Sequence, residues 1–167
     1  MRILFVQPAP FEPGRLGLEN AIWLSEPAAF TSLAAMVPEH ECEILDLRLE
    51  PDLNLNKKLL SFRPDIVAVS CMTTDSYQAM AILQCAKNTL GKDKVFGIVG
   101  GHHPTLAPAD FHHPAIIDAI CLGEGEETFK ELCDHLAANK SWQQLNDING
   151  LCFFDGREFV TTTKRAQ

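Results

Sequence analysis

The run Ile66-Val67-Ala68-Val69-Ser70-Cys71 constrains this chain more than any other segment. Apolar and β-branched residues follow one another without a charged break, so the strand has no solvent face and must be covered on both sides. Such a strand belongs in a mostly parallel sheet with helices on either face. The rest of the chain supplies the remaining parts. Met1–Gln7 is a second apolar run, stopped by Pro8 and Pro10. Glu41–Leu47 alternates enough for an edge or half-exposed strand, Val95–Val99 runs into Gly100-Gly101, and Ile116–Leu122 is the last of the set.

Helical patterns lie between these strands. Pro27 opens one that reaches Met36 and carries Phe30, Leu33, Ala34 and Val37 on one side. Leu53–Phe62 forms another, closed before Pro64. Thr74 or Asp75 caps a third, with Met80, Leu83, Ala86 and Leu90 at helical spacing and Gly91 as its stop. A short helical turn is expected around Thr105–Phe111, and a last amphipathic helix carries Phe129, Leu132, Cys133 and Leu136. Asp155-Gly156, between two apolar runs, reads as a tight hairpin turn. The expected fold is α/β: a doubly wound, mostly parallel five-stranded sheet over residues 1–147, with a β-hairpin appended at 148–167 in the same domain. A length of 167 residues, 46% of them hydrophobic, suits one such core.

Composition removes several functions. A formal charge of −8 argues against a nucleic-acid binder, which would need a basic surface to release counterions. No stretch approaches the ~20 apolar residues of a membrane span. No apolar signal segment opens the sequence, so a cytoplasmic location is expected. The six cysteines are widely separated and form no C-x-x-C pair, which suits buried thiols better than a zinc site or a disulfide framework.

In open α/β sheets ligands bind beyond the carboxyl ends of the strands, which selects the loops after Gln7, Cys71, Val99 and Leu122. The second of these brings Met72, Thr73 and Thr74 next to Ser70; the third brings Gly100, Gly101, His103 and Thr105; the fourth brings Gly123, Glu124, Gly125 and Glu126. Paired glycines serve either a turn with positive φ or the close passage of a flat ligand along the backbone. Two glycine-rich tips on neighbouring strands favour a ligand slot. The spacings G-x-G-x-x-G and G-x-x-x-x-G-K are both absent, so the slot is not a dinucleotide or P-loop phosphate cradle. The pairs His102-His103 and His112-His113 have no carboxylate or cysteine placed to complete a ligand set, and no protein-only metal site is expected. Glu127 at a helix start suits the helix dipole, whereas Glu124 and Glu126 stay open as ligand contacts. No Ser/His/Asp or Cys/His arrangement offers a nucleophile.

Gly100-Gly101-His102-His103-Pro104-Thr105, followed about twenty residues on by Gly123-Glu124-Gly125-Glu126-Glu127-Thr128, resembles the paired motif of the cobalamin-binding domains attached to radical S-adenosylmethionine enzymes. Met1–Pro10, Phe62–Ser70 and the hairpin region Ile148–Lys164 are similar to the corresponding parts of that family, so essentially the whole chain is covered. The resemblance implies a flavodoxin-like (Rossmann-like) fold and a cobalamin across the strand tips, its nucleotide tail beside Ser70, Thr73, Gly100 and Gly101, with Pro8 in the loop after the first strand. That loop, Pro8 to Gly14, contains no histidine, which implies a base-off corrinoid with no protein ligand on cobalt. The family's catalytic half carries C-x-x-x-C-x-x-C for a [4Fe-4S] cluster and uses S-adenosylmethionine; this sequence has no such motif. The chain alone is therefore expected to bind rather than catalyse, with a radical catalytic domain in cis or in trans. A stand-alone corrinoid carrier and a flavodoxin-like module without corrinoid are the competing readings. A Gly101→Val substitution is expected to block the tail.

Overall fold

The computed structural model describes residues 1–9, 26–50, 52–138, 141–142 and 144–165. In chain order its main elements are β1 (Arg2–Gln7), α1 (Ala28–Ala35), β2 (Glu41–Asp46), α2 (Leu55–Phe62), β3 (Ile66–Ser70), α3 (Ser76–Leu90), β4 (Phe96–Gly100), α4 (His102–Leu106), β5 (Ala119–Cys121), α5 (Glu126–Ala137), β6 (Leu151–Phe154) and β7 (Phe159–Thr161). Two 3-10 turns, Thr73–Asp75 and Pro108–Phe111, also occur among the described residues. The strands form one sheet in the order β2-β1-β3-β4-β5-β6-β7. β1 to β5 are mutually parallel, and β6 and β7 run antiparallel to their neighbours. This is the expected mostly parallel α/β sheet. The hairpin is continuous with it, because β6 pairs directly with β5 through Ile120 and Cys152.

Strand order fixes which helix covers which face. The step from β1 to β2 runs one way along the sheet, while the crossovers from β2 to β3 and onward run the other way. Right-handed crossovers therefore put α1 on one face and α2 and α3 on the opposite one. Side-chain packing agrees. Phe30 of α1 and Phe129 and Leu132 of α5 pack with Phe5, Ala68, Ile98 and Cys121. Leu59 of α2 and Ala79, Ile82 and Leu83 of α3 pack with Val67, Val69, Val99 and Ile120. On the first face the Phe5 ring lies 5.3 Å from both Phe30 and Phe129. On the second, Lys87 of α3 is only 4% exposed. Its ammonium donates to Asp118 Oδ2 at 2.5 Å and to the carbonyls of Val95 (2.7 Å) and Lys92 (3.1 Å), so all three donors are used and burial is tolerated.

Several boundaries differ from the sequence reading for local reasons. Helix α2 starts at Leu55, because the Asn54 side chain accepts from Lys57 N–H. It ends at Arg63, which takes the left-handed conformation (φ 50°) ahead of Pro64. Asp75 precedes α3, yet its carboxylate accepts from Met72 N–H at 2.7 Å instead of capping the helix. β5 keeps only Ala119–Cys121 of the run from Ile116, since Ile116 and Ile117 N–H both bond back to His113 in a turn. The hairpin tip is Gly156-Arg157, one residue later than expected. Gly156 supplies φ 101° there, and the Asp155 carboxylate accepts from Arg157 and Glu158 N–H.

Candidate ligand-binding cleft

At the carboxyl ends of β3, β4 and β5 the two faces of the sheet part company. On the α2/α3 face the strand tips carry Val69, Cys71 and Val99, all buried. On the α1/α5 face the corresponding side chains are small: Ala68, Ser70, Gly100 and Cys121. They do not fill the space up to the helices, and a cleft of about 490 Å³ remains. That volume lies in the range of small-molecule sites. Ala29, Phe30 and Leu33 of α1 form one wall; Phe129 and Glu126 of α5 form the other. Gly101, His102, Thr105 and Leu106 after β4, with Gly123, Glu124 and Gly125 after β5, edge the mouth.

The glycines do different jobs. A Cβ on Gly101 (φ 104°) would stand 2.8 Å from both Cys71 O and Ser70 Oγ and 3.0 Å from Cys71 N. Glycine is required there so that the β3 and β4 loops can cross, whatever the ligand. Gly101→Val therefore disturbs loop packing whether or not a ligand is present. Gly123 (φ 75°) is the converse: among the described residues nothing lies within 4 Å of where its Cβ would be. Thr105 joins the two glycine loops: its hydroxyl donates to Gly101 O at 2.8 Å and accepts from Gly123 N–H at 3.0 Å. The spacing of the paired motif thus has a physical cause, because the threonine of one half holds the first glycine of the other.

Among the residues singled out by sequence, Ser70, Gly100, Gly101, Thr105, Gly123, Glu124, Gly125 and Glu126 converge on this cleft. Pro8, Met72, Thr73, Thr74 and His103 do not line it. Pro8 is buried at the end of β1, while Met72, Thr73 and Thr74 are exposed on the 3-10 turn after β3. The histidine pair splits. His102 faces the cleft. His103 turns away, with Nδ1 2.8 Å from Thr73 Oγ1 and Nε2 3.0 Å from Asp110 Oδ2, its ring edge-on to Phe111. Sequence reading missed the α1 wall, because Phe30 and Leu33 carry the same signal as any core-facing helical residue.

The cleft's chemistry is apolar inside and acidic at the rim. Among the described residues no Lys or Arg lines it. Burial pushes the Cys121 thiol up to about 12, and the carboxylates of Glu126 and Glu124 add to the effect, so this sulfur stays protonated at neutral pH. Among the described residues no group of three or more His, Cys, Asp and Glu is placed to hold a metal ion, and no helix is long and apolar enough to cross a membrane.

Comparison with known proteins adds to this geometry. The family model of the B12 binding domain matches residues 24–133. An uncharacterized methyltransferase of Pyrococcus horikoshii is 35% identical over 159 residues, covering 92% of this chain and 32% of that relative. The anaerobic magnesium-protoporphyrin IX monomethyl ester cyclase of Cereibacter sphaeroides is 28% identical over 165 residues, covering 97% of this chain and 26% of that relative. The chain thus spans well under half the length of these curated relatives. Among solved structures, the cobalamin-dependent S-adenosylmethionine radical enzyme OxsB with aqua-cobalamin bound shares the fold, with a TM-score of 0.77 at 19% identity over 99% of this chain and 22% of that chain.

Proposed function

Because the chain belongs to the B12 binding domain family, we propose that its cleft holds the nucleotide tail of a cobalamin, with the corrin ring resting across the strand tips outside. The observation that carries this reading is the glycine-edged cleft of about 490 Å³ at the ends of β3, β4 and β5. Its residues fit such a group. Ala68, Gly100 and Cys121 leave depth for a flat heterocycle, and Phe30 and Phe129 give it apolar walls. Ser70 and Thr105 bring hydroxyls, and the open side of Gly123 lets a chain pass close to the backbone. The exposed Met72 and Leu106 present apolar surface beside the mouth for the ring.

Cobalt is read as having no protein ligand. The sequence Pro8 to Gly14 after β1 has no histidine; its part from Pro10 onward lies outside the described residues. His103 is engaged by Thr73 and Asp110, and the Cys121 thiol is held protonated. When bound, cobalamin supplies the organometallic or redox chemistry, and this chain supplies binding, orientation and exclusion of water. In the whole protein the module would serve a radical S-adenosylmethionine enzyme, a methyltransferase or a cyclase. Its catalytic domain, in the same chain or in a partner, would hold a [4Fe-4S] cluster and S-adenosylmethionine. The names of the relatives support both reaction classes.

The experiment is titration of the purified chain with hydroxocobalamin, desalting, and a visible spectrum. The reading predicts a retained one-to-one chromophore with a base-off spectrum free of histidine ligation. A folded chain that retains no corrinoid would overturn it.

A further inference from the structure

The glutamates around the start of α5 fall into two pairs. Glu127 and Glu131 are bonded by the Arg165 guanidinium at 3.1 and 2.5 Å, and Arg165 Nε also donates to Thr128 Oγ1 at 2.8 Å. That pair is neutralised and lies off the cleft. Glu124 and Glu126 line the mouth, and among the described residues neither makes a hydrogen bond or an ion pair. Glu126 acts on the cleft interior: of the charges felt by the Cys121 thiol its carboxylate is the strongest, ahead of Arg165 and Glu124. The backbone brings it there, since a Cβ on Gly125 would stand 3.4 Å from Cys121 Sγ. Cys121 itself is only 9% exposed and borders the cleft with no hydrogen-bond partner among the described residues.

A carboxylate accepts hydrogen bonds and cannot donate them. Its neutral complement is a primary amide, whose N–H groups donate. Its worst match is a second carboxylate, nearly the same shape but like-charged and acceptor-only. We propose that Glu124 and Glu126 make the mouth of the cleft selective for primary amides over carboxylates, so that it admits a fully amidated corrinoid and rejects one whose side chain beside the mouth is a free acid. The proposal rests on the cobalamin reading of the cleft. A corrinoid carries primary amides around its ring, and a ring lying across the strand tips brings them to this rim. The tail's phosphodiester stays on the solvent side of the same charges. Among the described residues no Lys or Arg lines the cleft to answer them.

Two measurements decide it, and the first needs no corrinoid. Iodoacetamide and iodoacetate differ by the exchange of an amide for a carboxylate, and both report on Cys121 in the ligand-free chain. Their rate ratio is referred to Cys85, whose hydrogen-bonding neighbours Asn56 and Thr89 are uncharged. At low salt the amide-to-acid ratio should be about tenfold higher at Cys121, the scale on which a cleft of one charge sign steers a charged reactant. It should fall toward that of Cys85 in the Glu124→Gln/Glu126→Gln double variant and in about 1 M salt. Glu127→Gln and His102→Gln should keep it. A ratio at Cys121 no greater than at Cys85, or one that the double substitution leaves unchanged, overturns the proposal. The second measurement compares hydroxocobalamin with cobalamin monocarboxylic acids, each with one side-chain amide hydrolysed. At least one acid should bind about tenfold more weakly, and the double variant should remove that loss. Acids that all bind like the parent compound contradict the selectivity. A chain that binds none of these corrinoids contradicts the cofactor reading instead, and the thiol ratio then still judges the rim.

Discussion

The two faces of one sheet end differently at the same strand tips. On the α2/α3 face, Val69, Val99 and Ile120 meet Ile82, Leu83 and Ala86, and the space is closed. Even Gly97 is closed in there: a Cβ on it would stand 2.8 Å from Ile116 O, 3.4 Å from Lys87 Cε and 3.5 Å from Leu83 Cδ2. On the α1/α5 face, Ala68, Gly100 and Cys121 leave a cleft, and among the described residues a Cβ on Gly123 would meet nothing within 4 Å. Alternation along a strand sends neighbouring residues to opposite faces, so a single β-branched run contains both outcomes. Val67 and Val69 close one side; Ala68 and Ser70 open the other. Stability is concentrated on the closed face, and binding capacity on the open one.

The largest effect should come from Gly101→Val, because it disrupts the crossing on which both faces depend. Positive φ and backbone contacts at 2.8 Å combine strain with overpacking, so a loss of about 3 kcal/mol or more in denaturant unfolding is expected. A stable, well-folded variant would show that the loop crossing is not what keeps the glycine.

A sharper test places the same enlargement on each face. Ala79→Leu, on α3 in the closed core, should cost about 1–3 kcal/mol by overpacking. Ala68→Leu, pointing into the cleft, should stay within about 1 kcal/mol of the parent, because vacant volume accepts the added atoms. Equal penalties at the two positions would erase the distinction between the faces.

Thiol chemistry gives a smaller effect without substitution. Burial pushes Cys71, on the closed face, and Cys121 and Cys133, on the open face, up to about 12. Against the ordinary thiol their thiolate fraction at pH 8 is roughly a thousandfold smaller, so native-state alkylation should reach the half-buried Cys42 and Cys85 first. Only Cys121 borders the cleft, so a bound ligand should slow its residual reaction and leave that of Cys71 unchanged. Mass spectrometry after timed alkylation reads both, and equal protection of the two thiols would contradict the assignment of faces.

Much of this was legible in the sequence, and the remainder failed for identifiable reasons. The parallel sheet followed from apolar runs such as Ile66–Cys71, and the cleft's edge followed from glycines at two strand ends. The start of β5 lies later than the pattern indicates, because Ile116 and Ile117 are apolar whether they sit in a strand or in a buried turn. The structure lines the cleft with His102 and bonds His103 to Thr73 and Asp110, a division that sequence does not reveal, since adjacent residues point apart but nothing says which points where. Phe30 and Leu33 were legible as core, yet a core residue with one side uncovered looks the same in sequence as a covered one. Asp110, whose carboxylate lies 3.0 Å from His103 Nε2, gave no signal because its partner lies across a turn of tertiary origin.

The most direct test of the central claim, that the open face is the corrinoid site, is hydroxocobalamin retention by Ala68→Leu beside the parent chain. The account predicts that the variant keeps its unfolding midpoint and loses the retained chromophore. Equal retention by a folded Ala68→Leu chain would contradict it and move the corrinoid elsewhere on the molecule.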